Sequence, residues 1–240
     1  MKLTYIYHSG YAIEADSFTI IIDYFNDSSD NPDDGVVYGK LLKKNGRLYV
    51  LSTHSHPDHF NKEILTWKQE HPDIIYIFSK DILEYGKANE HDAIYLDKSD
   101  LYRDEMLSVQ AFGSTDLGVS FLIKTEGKMI FHAGDLNNWH WNEESTHEEI
   151  DEAENFYKNE LAFLASKVKH LDLAMFPVDP RLGKDYMKGA EQFISAIKVD
   201  VLAPMHFGDE YDKAAAIKGY ADKMGCKLIS WKKRGESILF

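Results

Sequence analysis

The chain has 240 residues, 44% hydrophobic and 28% charged, with a formal net charge of −13 and a single cysteine. That length can bury a sizeable core, no apolar run approaches the roughly 20 residues of a membrane span, and the lone Cys226 excludes an intramolecular disulfide. An acidic surface works against polyanion binding, which gains energy when lysine and arginine displace counterions, so a small-molecule substrate is expected rather than nucleic acid or a membrane. The opening MKLTYIYHSG lacks a signal-peptide core, which points to a cytoplasmic setting.

Taken in chain order, β-branched and aromatic runs dominate the first half: LTYIY, FTIIIDYF, RLYVLS, DIIYIF, LSVQAF, VSFLI and KMIFHAG. Their Gly/Asn/Asp-rich separators predict strands. Helices are predicted at 61–70 and 79–88, and FNDSSDNPDDGVVYG (25–39) reads as a long irregular segment. The second half carries helical patterns at 147–168, 185–197 and 211–224. Among them fall the strands LDLAMFP, VLAPM, KLISW and a closing SILF. On helix 147–168, Ile150, Phe156, Leu161 and Leu164 form a stripe expected to face the core. The order predicts an α/β chain with sheets covered by helices, and the lack of a Pro-, Gly- or Ser-rich linker predicts one domain over 1–240.

Chemistry concentrates in LSTHSHPDHF, 51–60. In extended backbone, residues two apart point the same way, so His54 and His56 can grip one ion. Pro57 favours a turn, from which Asp58 and His59 project toward a second ion. Imidazole and carboxylate donors favour Zn²⁺, with Mn²⁺ and Fe²⁺ as competitors, and one or two ions are expected. The remaining ligands must come from elsewhere. Asp135, ending KMIFHAGD, and His206, ending VLAPMH, are two further strand ends that deliver a donor next to a glycine turn. Three such ends make a convergent site.

With HSHPDH at 54–59, GST at 113–115, HAGD at 132–135 and PMHF at 204–207, the chain resembles the metallo-β-lactamase superfamily. The opening HSGYAIEADSFTIIIDYF, ending near Asp23, is similar to that family's first hairpin. The presence of His8 brings it closest to the compact branch that includes L-ascorbate-6-phosphate lactonase-like proteins. The resemblance implies a four-layer αββα sandwich. It also implies that His54 and His56 bind a first metal, that Asp58, His59 and His206 bind a second, and that Asp135 bridges them. Ser114 departs from the pattern, standing where the family supplies a third histidine. Either Thr115 or Asp116 shifts in, a water replaces the nitrogen, or the first site is weak; Asp116 is the preferred substitute because it keeps a charged oxygen nearby.

A metal lowers the pKa of bound water toward 7. The expected function is therefore a metal-dependent hydrolase in which a metal-bound hydroxide attacks an ester, lactone, amide or phosphodiester, with Asp58 orienting the water or taking its proton. His8 and His132 read either as groups that orient ligands or as core histidines. In DLNNWHWNEE, Trp139 and Trp141 read either as a substrate wall, with His140 as proton donor to the leaving group, or as anchors of the loop. Asp179, Arg181 and Lys184 read as solvated loop charges or as contacts to an anionic substrate. His71, His91, His147 and His170 read as surface residues. Alternatives to the hydrolase are a nuclease or phosphodiesterase of the same fold, redox chemistry at a di-iron site, and a catalytically quiet metal-containing binding protein.

Overall fold

Burial explains why the predicted strands read as nearly unbroken apolar runs: FTIII is buried along its whole length, and RLYVLS from Leu48 to Ser52. The computed structural model describes residues 1–240, the side chain of Pro32 excepted. The chain divides into two units, residues 1–97 with 231–240, and residues 98–230.

The first unit holds strands β1 (Lys2–Tyr7), β2 (Gly10–Glu14), β3 (Phe18–Ile22), β4 (Arg47–Ser52), β5 (Ile75–Ser79) and β6 (Ile94–Leu96), together with β14 (Ser237–Leu239) at the C-terminus. They form one sheet in the order β14-β1-β2-β3-β4-β5-β6. Pairing is antiparallel from β14 to β3 and parallel from β3 to β6. Ile6, Ile21, Val50, Phe78 and Trp67 pack in its core. The expected helix 61–70 is instead a 3₁₀ segment, Lys62–Gln69, begun by the Asn61 side chain accepting from the Glu63 N–H. It stops before His71, whose backbone is disfavoured from helix by Pro72. The expected helix at 79–88 shortens to Lys80–Glu84. Residues 25–39 are less irregular than expected: the buried Asp27 carboxylate accepts from the N–H groups of Val37 and Tyr38 and starts a turn of helix at Val36–Gly39.

The second unit holds β7 (Leu101–Arg103), β8 (Leu107–Phe112), β9 (Ser120–Thr125), β10 (Lys128–His132), β11 (His170–Pro177), β12 (Lys198–Met205) and β13 (Lys227–Leu228). Their order is β13-β12-β11-β10-β9-β8-β7. Again one half is antiparallel, β7 to β10, and the other parallel, β10 to β13. The long helix His147–Lys167 opens on a reciprocal capping box between Thr146 and Glu149. Helix Lys188–Ala196 packs on β11 and β12. Only glycine fits at 189, because a β-carbon there would lie 1.9 Å from Asn137 Oδ1. The expected helix 211–224 is two pieces, Tyr211–Ala215 and Lys218–Lys223, although Ala216 and Ile217 between them keep helical backbone angles. In the predicted stripe, Leu161 and Leu164 are buried but Phe156 is 49% exposed.

KLISW is a strand only at its first two residues; Trp231 leaves the sheet and stacks on Tyr5 of the first unit, ring centroids 5.5 Å apart. The short strands β6 and β7, which the sequence did not announce, are sheet edges with exposed Ile94 and Leu101. Two mixed sheets with flanking helices are thus the α/β fold the sequence predicts. Among the described residues no helix is long and apolar enough to cross a membrane.

Candidate metal centre

In the first unit the chemistry gathers where β1, β3 and β4 end. His54 and Asp23 are fully buried, as is His59. Asp23 organises the corner: its Oδ1 accepts the Thr53 N–H at 2.7 Å, and its Oδ2 accepts the Thr53 hydroxyl at 2.6 Å and His59 Nδ1–H at 2.7 Å. Thr53 Oγ1 in turn lies 3.2 Å from His54 Nδ1, so that nitrogen donates. Both histidines are thereby fixed in the tautomer that turns a lone pair outward at Nε2, which is how outer partners prepare imidazoles for a metal.

His54 Nε2 stands 3.0 Å from His56 Nδ1. Two nitrogens each about 2.0–2.1 Å from one tetrahedral ion would stand roughly 3.3 Å apart, so this spacing fits a shared cation. On the other side, His8 Nε2 is 3.2 Å from Asp58 Oδ2, and His59 Nε2 is 4.0 Å from the same oxygen. The structure thus places His54 beside His56, and Asp58 within 4.0 Å of His59. His8 joins the second group. Asp81, buried at the head of helix Lys80–Glu84, accepts the Ser55 N–H at 2.8 Å and holds the loop between the two histidines. Its part was not read from the sequence.

In the second unit, donors arrive from the ends of three parallel strands. Asp135 follows β10, Asp179 follows β11 and His206 follows β12. His206 Nδ1–H donates to Asp179 Oδ2 at 2.9 Å, and its Nε2 lies 3.4 Å from Asp135 Oδ1. Asp179 also receives the Arg181 guanidinium, with Nη2 at 2.6 Å and Nε at 3.0 Å. Burial acts to raise the Asp179 carboxyl, but the hydrogen bonds from His206 and Arg181 outweigh it and hold it down at about 2. Reading Asp179 as a solvated loop charge is therefore corrected. It is 1% exposed and orients His206, which a motif search for ligands alone does not reveal. Lys184 is exposed and lines a shallow cavity of about 270 Å³ with Asp185, Met187, Lys188 and Glu191.

Three of these residues, His8 (φ 55), Asp23 (φ 48) and His206 (φ 64), adopt left-handed backbone. Such conformations cost on the order of 1–3 kcal/mol each and gather where function over-determines geometry.

Asp116 does not take the place of the missing histidine. It is exposed, its N–H donates to Ser114 Oγ at 3.3 Å, and among the described residues it is in none of the groups of clustered ligand atoms. The reason lies next door: the Thr115 hydroxyl bonds the Asn137 carbonyl at 2.6 Å and accepts the Asn137 N–H at 2.9 Å, which turns the following residue outward. His140 is likewise redirected. Its Nδ1 accepts the Asn142 N–H and its Nε2 donates to the Asp185 carbonyl, both at 3.2 Å, so the buried ring ties two loops together and has no nitrogen left to serve as the expected proton donor. Trp139 and Trp141 stack at 6.3 Å, and Trp139 donates to the Asp135 carbonyl at 2.8 Å while edging His206 at 5.4 Å. His132 is fully buried and accepts the Gly134 N–H at 3.1 Å, shaping the turn before Asp135. His91 and His147 are exposed as expected, whereas His71 and His170 are half-buried.

A sequence profile described as "Beta-lactamase superfamily domain" matches residues 2–152. Among solved structures, Igni18, a metallo hydrolase from Ignicoccus hospitalis, is similar at 17% identity and a TM-score of 0.70, over 99% of this chain and 97% of that one. The metallo-β-lactamase fold protein YhfI from Bacillus subtilis is similar at 12% identity and 0.65, over 99% and 98%. CmlA, a diiron β-hydroxylase from Streptomyces venezuelae, is similar at 14% identity and 0.65, over 99% of this chain but 54% of that longer one. At these identities the likeness shows the fold.

Proposed function

This chain belongs to the β-lactamase superfamily domain family, and from that premise we propose that it is a metal-dependent hydrolase of a small-molecule ester, lactone, amide or phosphodiester. The observation that carries the reading is the tautomer arrangement: His54, His59 and His206 each have Nδ1 engaged by an oxygen, from Thr53, Asp23 and Asp179. Histidines packed for stability alone have no need to present the same nitrogen. The donor set of imidazoles and carboxylates fits a divalent cation, Zn²⁺ first and Mn²⁺ or Fe²⁺ next.

In this reading His54 and His56 hold one ion, Asp58 and His59 a second, and Asp135 and His206 complete the set, as the family motifs imply. Such an ion supplies Lewis acidity, making water acidic near neutral pH and polarising the scissile carbonyl or phosphoryl group. Asp58, 35% exposed, accepts the proton of the attacking water at Oδ2, and His8 Nε2 stands 3.2 Å from that oxygen. Trp139 and Trp141 supply an apolar wall.

Metal analysis of the purified protein, paired with a panel of 4-nitrophenyl esters, lactones and bis(4-nitrophenyl) phosphate, tests this. One or two ions per chain are expected, lost in His59→Ala and Asp135→Ala, with turnover that stops on chelation and returns with Zn²⁺ or Mn²⁺. Turnover indifferent to chelation, or full metal retention by both variants, would end the proposal. The exposure of Asp116 favours a second reading, a binding protein with a single tight ion; one ion, no turnover and saturable ligand binding would select it.

A further inference from the structure

The long helix His147–Lys167 turns one stripe inward and leaves another at the surface. Tyr157, Leu161 and Leu164 are buried, whereas Phe156 and Phe163 are 49% and 39% exposed. Helical side chains seven positions apart fall within roughly 20° of one line, about 10 Å from each other along the axis, so the two phenylalanines share a single line. One exposed apolar side chain is ordinary on a protein surface. Two phenylalanines in line on a helix are the start of an interface.

Charge is ordered along the same line. Glu152 stands one turn before Phe156 and Lys167 one turn after Phe163, both exposed. Between the phenylalanines, Glu160 is bridged by Lys98 Nζ at 2.7 and 2.8 Å, which neutralises the middle. Among the described residues, Glu152 and Lys167 form no ion pair within the chain; Lys167 Nζ lies over the Phe163 ring, 5.9 Å from its centroid. Acid in the first turns and base in the last suit the helix dipole, but the dipole does not account for exposed phenylalanine between them.

Turned end for end, the line is its own complement: acid, phenylalanine, bridged centre, phenylalanine, base, with four positions from each charge to its phenylalanine. We propose that a second copy of this chain docks on this face, its helix antiparallel about a two-fold axis passing between Asn159 and Glu160. Phe156 then meets Phe163 of the second copy and Glu152 meets Lys167 of the second copy. Each contact occurs twice, as a two-fold interface requires. A uniformly basic partner would pair with Glu152 and be repelled by Lys167, and an acidic one the reverse, so charge selects the chain itself. The contact is one helix face roughly 30 Å long, the small kind that associates transiently, so a Kd of micromolar order is expected.

Sedimentation equilibrium of the purified full chain across the micromolar range tests this, and needs neither turnover nor a known substrate. The parent should pass from monomer to dimer. Phe156→Gln should raise Kd by about tenfold or more, since an aromatic side chain at the middle of an interface carries a large share of its energy, while Tm stays that of the parent. Glu152→Lys and Lys167→Glu should each weaken association about three- to tenfold, because each sets like charges opposite one another twice. Mixed in equal amounts, those two variants regain both attractive pairs, so the mixture should associate as tightly as the parent. That rescue is specific to antiparallel pairing in this register. Met224→Ser removes an exposed apolar side chain outside this helix and should leave Kd in place. A parent that stays monomeric would leave the face to a different protein or to solvent and overturns the proposal. So would a dimer that Phe156→Gln leaves intact, a loss as large in Met224→Ser, or charge variants whose mixture associates no better than either alone. None of these results bears on the hydrolase reading, which metal content and turnover decide.

Discussion

The two units solve the same problem with the same sheet and different loops. Each has an antiparallel half followed by a parallel half, and each delivers its polar side chains at the carboxyl ends of the parallel strands, where α/β sheets place their ligands. The first unit packs its histidines into one turn after β4, and a single carboxylate, Asp23, fixes that turn through Thr53 and His59. The second unit spreads its donors over three strand ends, and each must be oriented separately: His206 by Asp179, Asp179 by Arg181. A compact motif makes one partner do several jobs. A dispersed one is built of single links, each replaceable.

The largest expected effect follows from that contrast. Asp23→Ala removes the partner of three donors in a fully buried corner. It should lower metal affinity by tenfold to a hundredfold and destabilise the protein by about 2–4 kcal/mol, read by metal titration and urea unfolding. If metal binding survives intact, the first unit is not organised by Asp23. Asp179→Asn keeps an oxygen near His206 but loses the charge, so a fall in metal affinity of about tenfold with little change in stability is expected. Arg181→Ala should do less, because 62% of that side chain is exposed. A loss equal to that of Asp179→Asn would show the links to be a unit. Thr115→Ala severs the ties between the loops after β8 and β10. It should reduce stability by roughly 1–2 kcal/mol, seen in chemical denaturation, while His54 and His56 keep their NMR signatures.

The smallest effect is a pH dependence at the opposite end of the first sheet. Burial acts to raise the Glu14 carboxyl, but Lys2 and Lys40 outweigh it and set it below its usual value, with Lys44 3.6 Å away. A carboxyl lowered in the folded state adds stability above its unfolded pKa and loses it as pH falls through the folded value. Glu14→Gln should therefore be less stable than the parent near pH 7, and the difference should close as the pH drops below about 4. A difference that stays constant between pH 7 and 3 would remove Glu14 from the account.

Much of this was legible from the chain because local physics sets it. Strands such as RLYVLS and LSVQAF appear at the predicted residues, since burial on both faces requires continuous apolar side chains. The pairs His54 with His56 and Asp58 with His59 follow from spacing along an extended segment and a proline turn, and need no distant partner. The sequence also drew attention to Asp179, but misjudged it, because whether a loop carboxylate meets water or an imidazole depends on which strand end lies beside it. The same holds for Asp116 and His140. Both sit at the expected places, yet the hydroxyl of Thr115 turns one outward and two backbone groups claim the ring of the other. Composition and periodicity thus determined the long strands of both sheets, the types of candidate donor and the first turn of the candidate site. Tertiary structure alone decided the orienting partners and the direction each loop side chain faces, because hydrogen bonds between residues 27 to 45 positions apart leave no periodic mark on the chain.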